Sequence, residues 1–188
     1  MIEVLKNVFR IEELRRRILF VLAMLVVFRI GAHIPIPGID SKALAEFFAS
    51  NSKGLLGHLD MFSGGALRNM TIFALGIMPY ITASIVMQLL TAVFPFLERI
   101  SKEGEAGRRK ITQYTRYGTI GLSIIQGFAI AVGLESMGLG GNKVVLAGMN
   151  TWTFRFTSVM TLTAGTAFIM WVGEQISERG IGNGISLI

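Results

Sequence analysis

Residues 69–97 read NMTIFALGIMPYITASIVMQLLTAVFPFL, 29 positions without a charge between Arg68 and Glu98. A helix crossing the hydrocarbon core of a bilayer needs about 20 such residues, so the run is long enough to span. It also holds Gly76, Pro79, Thr82, Ser84, Gln88 and Thr91, which a mere anchor would not need. Immediately before it, Met61, Phe62, Ser63, Gly64, Gly65, Ala66 and Leu67 make an apolar, small-residue segment ending at Arg68. That segment is about a third of the length a spanning helix needs, so it can dip into a membrane but not cross it. Broken backbone at membrane depth is tolerated only inside protein or beside water, which suggests a chain that lines an aqueous path.

The rest of the sequence supports a membrane setting. Of its 188 residues 52% are hydrophobic and 16% charged, and mean hydropathy is +0.58. The charges cluster at the ends of apolar runs, as in polytopic membrane proteins. Residues 18–34 read as a first span behind Arg15, Arg16 and Arg17, with Arg29 near its far end, where its stem can carry the guanidinium to the headgroups. Residues 71–96 form the second span. The gaps between Arg116 and Glu135 and between Arg155 and Glu174 hold 18 residues each, giving spans over 117–134 and 155–173. A further apolar run begins at 181. The first span is read as uncleaved, since no small-x-small site follows it and three more spans do.

Basic residues assign the sides. Residues 1–17, an amphipathic segment, carry five Lys and Arg, and residues 98–117 carry six. By the positive-inside rule both lie in the cytoplasm, and 35–70 and 135–155 face outward. The formal charge of +6 thus says more about topology than about nucleic acid. Trp152 and Trp171 suit interfacial anchoring.

Within the second span Ile77, Ile81, Ser84 and Gln88 recur at i, i+4, i+7 and i+11, one stripe of a helix. It is apolar toward mid-membrane and polar toward the cytoplasm. A pore wet at its entrance and sealed by branched aliphatics needs that order. Two isoleucines touching lipid or a neighbouring helix, with Ser84 and Gln88 as interhelical glue, read the same residues without a pore. Pro79 should kink the helix. Residues 98–116 read as a loop whose Arg108, Arg109 and Lys110 meet either headgroups, including anionic phospholipid, or an acidic or RNA partner.

Little supports catalysis. There is no cysteine and only two histidines, His33 and His58, and no His-Glu-x-x-His, Gly-x-Ser-x-Gly or Walker pattern occurs. No metal or cofactor is implied. The run Gly180-Ile181-Gly182-Asn183-Gly184 follows Arg179 and a membrane helix instead of a strand, so it reads as a tight turn and not a dinucleotide loop.

Several stretches together resemble the SecY family of bacterial protein-conducting channel subunits. They are IPIPGID at 34–40, MFSGGAL at 61–67, GIMPYI at 76–81, EGEAGRRKITQYTRYG at 103–118 and GEQISERGIGNGIS at 173–186. The resemblance implies an all-α membrane protein, a polytopic helical bundle corresponding to the first half of a ten-span fold with a short re-entrant plug helix over 55–70. It further implies a plug at Met61 to Arg68, pore-ring positions at Ile77, Ile81 and Ile185, and a lateral gate or funnel at Ser84 and Gln88. The partners it implies are SecE, SecG, the SecA motor or a ribosome at Arg108, Arg109, Lys110 and Arg179, nascent secretory and membrane proteins, and the C-terminal half of the family chain. That missing half would be needed to seal a pore. The expected location is the bacterial cytoplasmic membrane. A secondary transporter of the major facilitator type is the alternative, because GEAGRR between two spans is similar to that family's loop; the loop's Asp-Arg pair is absent.

Overall fold

The computed structural model describes residues 11–40, 43–44, 69–136, 138–139, 142–143, 145 and 150–188. The expected plug, Met61 to Arg68, lies outside the described residues. Among those described, helices α1 (Glu12–Gly31), α2 (Met78–Val93), α3 (Pro95–Lys102) and α4 (Glu105–Ser136) are followed by a minimal hairpin, β1 (Gly138–Leu139) with β2 (Asn142–Lys143), and then by α5 (Thr151–Arg179) and α6 (Gly184–Leu187). Two of these, α4 and α5, are long and apolar enough to cross a membrane, and α2 with α3 supplies a third if the bent pair is one broken span.

The α4–α5 hairpin is the scaffold. On α4 the buried residues Thr115, Thr119, Ser123, Gly127 and Ala131 recur every fourth position. Small side chains on one ridge let backbones approach closely, the usual basis of helix association where lipid is as apolar as leucine. The hydroxyls return to their own helix, Thr119 Oγ1 donating to the Thr115 carbonyl at 2.8 Å and Ser123 Oγ to that of Ile120 at 2.8 Å, so they cost little in an apolar seam. Opposite lie Phe154, Ser158, Leu162 and Thr166 of α5, also buried.

Residues 69–77 are not helical, and regular helix begins only at Met78 where a span from 71 was expected. The reason is tertiary. The Ile36 amide donates to the Met70 carbonyl and that of Ile72 to the Ile34 carbonyl, both at 3.0 Å, so this backbone is satisfied by residues 34–36. Met70, Thr71, Phe73, Ala74 and Leu75 are all buried. Phe73 is stacked between Phe28 of α1 and Phe168 of α5, with ring centroids 5.6 and 5.9 Å apart. Glycine permits this: a Cβ on Gly31 would strike the Phe73 ring, and one on Gly165 would strike the Ile72 carbonyl. Pro79 falls in the first turn of α2, where its missing N–H costs nothing, so it starts a helix instead of kinking one.

The expected loop over 98–116 is largely helical. Phe94 is extended because a residue before proline is driven out of the helical region, and the chain turns by 101° into α3. Helix α4 then starts at Glu105, twelve residues before the expected span. Its 32 residues extend about 48 Å, well beyond a ~30 Å hydrocarbon core. Helix α1 also starts earlier, at Glu12, where Arg16–Glu12 and Arg17–Glu13 pairs one turn apart support it.

Candidate functional site

The antiparallel helices α4 and α5 are joined at both ends by ion pairs. At one end Arg116 Nε donates to Glu174 Oε1 at 2.7 Å. At the other, Arg155 donates through Nε and Nη2 to Glu135 over 2.6 to 3.1 Å, with its guanidinium also 5.4 Å from the Trp152 ring. The two pairs lie nineteen residues apart in each helix, about 28 Å at 1.5 Å per residue. Both were visible in the sequence only as charges bounding apolar gaps.

Helix α2 lies along the Arg116 half of α4. A Cβ on Gly118 would come 3.7 Å from the Ala83 methyl, and the Ile100 carbonyl crowds Gly107. The chain just before α2 clusters toward the far end of α4, Ala74 and Leu75 with Ala131 and Leu134, while Ala83 meets Gly118, so α2 runs antiparallel to α4. Counting from Ala83 puts Ile77 about 2 Å from the level midway between the ion pairs. The helix therefore begins about halfway down the scaffold, and Met70, Ala74 and Leu75 of the segment before it pack with Ala131, Leu134 and Phe154 in the other half.

Ile77, half-buried, packs with Ile72 and Ile188 against the cluster of Ala32, Phe73 and Ile169. Ile185 is half-buried on α6, its Cγ1 lying 3.3 Å from where a Cβ on Gly173 would stand, with Ile188 beside it. Ile77 and α6 thus meet one stretch of α5, Ile169 to Gly173. Ile188 was missed from the sequence, although it follows Ile185 by one turn. Ile81 does not join this cluster; it is 39% exposed, and Ile85, Leu89 and Val93 continue the exposed ridge. Ser84 is half-buried and Gln88 exposed, with Gln88 Nε2 donating to Ser84 Oγ at 3.5 Å, so the polar stripe is contiguous.

The turn into α6 is built by Gly180-Ile181-Gly182-Asn183-Gly184. Gly182 takes φ +80°, Asn183 Oδ1 accepts from the Ile185 amide at 3.1 Å, and Ser177 Oγ accepts from the Gly184 amide at 2.9 Å. A side chain on Gly184 would meet the Gly173 carbonyl, which is why glycine stands there.

Among the basic candidates Arg108, Arg109 and Arg179 are exposed and form no ion pair among the described residues, whereas Lys110 reaches Glu103 at 3.2 Å. Arg108, Arg109 and Lys110 stand on the part of α4 that overhangs the Arg116 level. Nearby on α3, the Lys102 ammonium donating to Glu98 holds that carboxyl below its ordinary range. Among the described residues no three His, Asp or Glu converge as metal ligands. Ile77, Ile185 and Ile188 make an apolar contact with α5, and Ser84 and Gln88 add a hydroxyl and an amide further along α2.

Comparison with known proteins matches residues 71–188 to the family model described as SecY. The chain is 57% identical over 176 residues to the protein translocase subunit SecY of Escherichia coli K12, covering 94% of this chain and 39% of that protein. It is 53% identical over 178 residues to the Pseudomonas aeruginosa protein of the same name, covering 95% and 39%, and 50% identical over 194 residues to that of Streptomyces galbus, covering 100% and 44%. The chain thus spans about two-fifths of the length of these relatives. The match replaces the major facilitator alternative: the loop similarity behind it rested on a few glycines and arginines, and here those residues start a long helix, α4. With its broken second span, small-residue scaffold and glycine turn all inside the matched region, the chain belongs to the SecY family.

Proposed function

We propose that this chain forms one wall of a protein-conducting channel that passes unfolded secretory polypeptides across a bacterial cytoplasmic membrane and releases hydrophobic segments laterally into it. The observation that carries this reading is the half-length α2. Its helix begins near mid-scaffold at Ile77, and it turns an aliphatic ridge starting at Ile81 away from the rest of the chain. Lipid alone would explain exposed isoleucines, but irregular backbone at mid-depth is tolerated only where it packs in protein or lines a water-filled cavity, and broken spans of this kind border the substrate path in transporters.

In this reading Ile77, Ile81 and Ile185 belong to the constriction, Ser84 and Gln88 wet the funnel and border the lateral gate, and Met61 to Arg68 plug the outer side. The basic end of α4 faces the cytoplasm, so Arg108, Arg109, Lys110 and Arg179 meet a motor, a ribosome or anionic headgroups. SecE, SecG, SecA and the C-terminal half of the longer family chain complete the assembly. Selection of a departing segment is by partition into lipid, at about 0.8 kcal/mol per buried CH₂.

The test places cysteine at Ile77 or Ile81 in the full chain, a background that has no cysteine over these 188 residues. Cross-linking to a stalled translocating polypeptide is expected at both positions. Adducts to lipid probes alone would remove the pore assignment.

A further inference from the structure

We propose that α3 is an interfacial anchor: it lies in the plane of the membrane surface, seats Phe94 and Phe96 at the boundary of headgroups and acyl chains, and turns Arg99 to phospholipid phosphate. Through it the far end of α2 is tethered to lipid. That the tethered helix borders a conduit rests on the channel reading above; the anchor rests on the geometry of α3.

Helix α2 is thinly held. Of its 16 residues only Pro79 and Ala83 are buried, and both lie in its first two turns. Toward its other end Leu89 and Val93 are more than half exposed, so that end is held chiefly by its passage into α3. Pro95 alone accounts for the break between the two helices. It does not account for the pattern that follows, in which Phe96, Leu97 and Ile100 share one face of α3 and Glu98, Arg99, Ser101 and Lys102 the other. Ile100 is buried at the start of α4, where its carbonyl crowds Gly107. Phe96, one turn earlier on the same face, is 69% exposed, and Phe94 beside it is 52% exposed. An aromatic patch on an amphipathic helix turned 101° from the preceding span suits a helix that lies flat with its apolar face in the headgroup boundary.

Depth along the scaffold supports that plane. Gly107, which α3 touches, stands nine residues outside the Arg116–Glu174 pair on α4. On α5, Gly180 stands six residues outside the same pair, and a Cβ there would strike Val21 of α1. Helix α1 heads outward at this end, since its Phe28 and Gly31 meet Phe73 deeper in the scaffold, so Ile18 lies three residues further out still. Helix α3 and the step from Ile18 to Arg17, Arg16 and Arg15 therefore fall at about one level, nine residues outside the pair by either count. A step from apolar to basic residues at the end of a membrane helix marks the headgroup layer. Glu98 and Lys102 neutralise each other, whereas Arg99 is exposed and forms no ion pair among the described residues, which leaves α3 one cation for an anionic headgroup. A protein docking from the aqueous side would not require the aromatic patch to coincide with that step.

The experiment uses the full chain in vesicles of phosphatidylcholine, with and without phosphatidylglycerol, and a spin label on a single cysteine placed at Phe94, Phe96 or Ser101. Labels at 94 and 96 should be reached by dissolved oxygen and shielded from a water-soluble nickel complex, and the label at 101, on the polar face, the reverse. Adding phosphatidylglycerol should deepen the label at 96, and R99Q should abolish that deepening. A label pair at Leu89 and Gln113 reads α2 against α4, and a pair at Ile124 and Phe168 reads α4 against α5; all four sites are exposed. In the double variant F94S/F96S the first distance distribution should broaden while the second stays as in the parent. A label at 96 open to the nickel complex in both lipids, or shielded from oxygen and nickel alike as under a protein partner, would overturn the anchor. So would a label at 101 as deep as that at 96, a deepening that survives R99Q, or a first distribution that ignores F94S/F96S or broadens no more than the second. None of these readings needs a translocating chain, so the anchor and the Ile77 cross-link can fail separately.

Discussion

Arg155 and Glu135 face each other across the α4–α5 turn with three donor–acceptor contacts, in the same register that brings Arg116 to Glu174 at the other end. Two long helices with weak amphipathicity and small facing residues can slide by a turn without changing character. Fixed charges nineteen residues apart on both helices remove that freedom. The spacing of about 28 Å matches a bilayer's hydrocarbon core, so both pairs sit where a charge can still reach headgroups.

The Glu135–Arg155 pair should be worth more than a surface ion pair. Its side chains are 21% and 24% exposed, and its geometry is bidentate. Glu135→Gln is expected to destabilise the folded chain by more than the loss of a monodentate, fully exposed pair would. A double-mutant cycle with Arg155→Gln, read by denaturant unfolding in detergent, checks it. Additive single effects would mean that the pair does not couple the helices.

Glycine should matter by location and not by type. Gly165→Ala drives a methyl into the Ile72 carbonyl, whereas a methyl on Gly121 meets nothing within 4 Å. The first is expected to cost about 1–3 kcal/mol as overpacking against backbone, and the second to be neutral or to stabilise by up to about 1 kcal/mol through helix propensity. Thermal unfolding of the two variants side by side decides it; equal effects would contradict the wedge at residues 72–73.

Phe73 is the ring that closes α1, the turn segment and α5 into one unit. It is 3% exposed and stacked on both faces. Phe73→Ala should cost about 3–5 kcal/mol, and Phe73→Leu distinctly less because most of the apolar volume remains. Limited proteolysis should show the α1–α5 contact loosening first in Phe73→Ala.

Much of this was legible in the sequence because charge gaps and apolar length are read one residue at a time. Two spanning helices between Arg116 and Glu135 and between Arg155 and Glu174 follow from those gaps. Residues 69–77 did not, because an uncharged stretch looks the same whether it is helix or packed turn; only the pairing of Met70 and Ile72 with Ile36 and Ile34 distinguishes them. The helical character of 98–116 was hidden by its charges, which read as loop until Glu98–Lys102 is seen to pair along α3 and Glu103–Lys110 across the turn into α4. That the gap-bounding charges bind one another depends on register, which no single-chain pattern carries.

Ile81 and Ile125 together test the proposed constriction. Both are branched aliphatics with exposed surface, 39% and 66%, one on α2 and one on α4. If the α2 ridge borders an aqueous conduit, Ile81→Ser wets a seal and should raise resting ion conductance of the reconstituted full chain several-fold, because a hydrophobic constriction gates by excluding water. If Ile125 faces acyl chains, Ile125→Ser removes apolar area from lipid and should lower stability slightly with conductance unchanged. Planar-bilayer recordings on both variants compare them directly. Equal conductance in Ile81→Ser and parent, under conditions where translocation itself is intact, would mean that this ridge seals nothing.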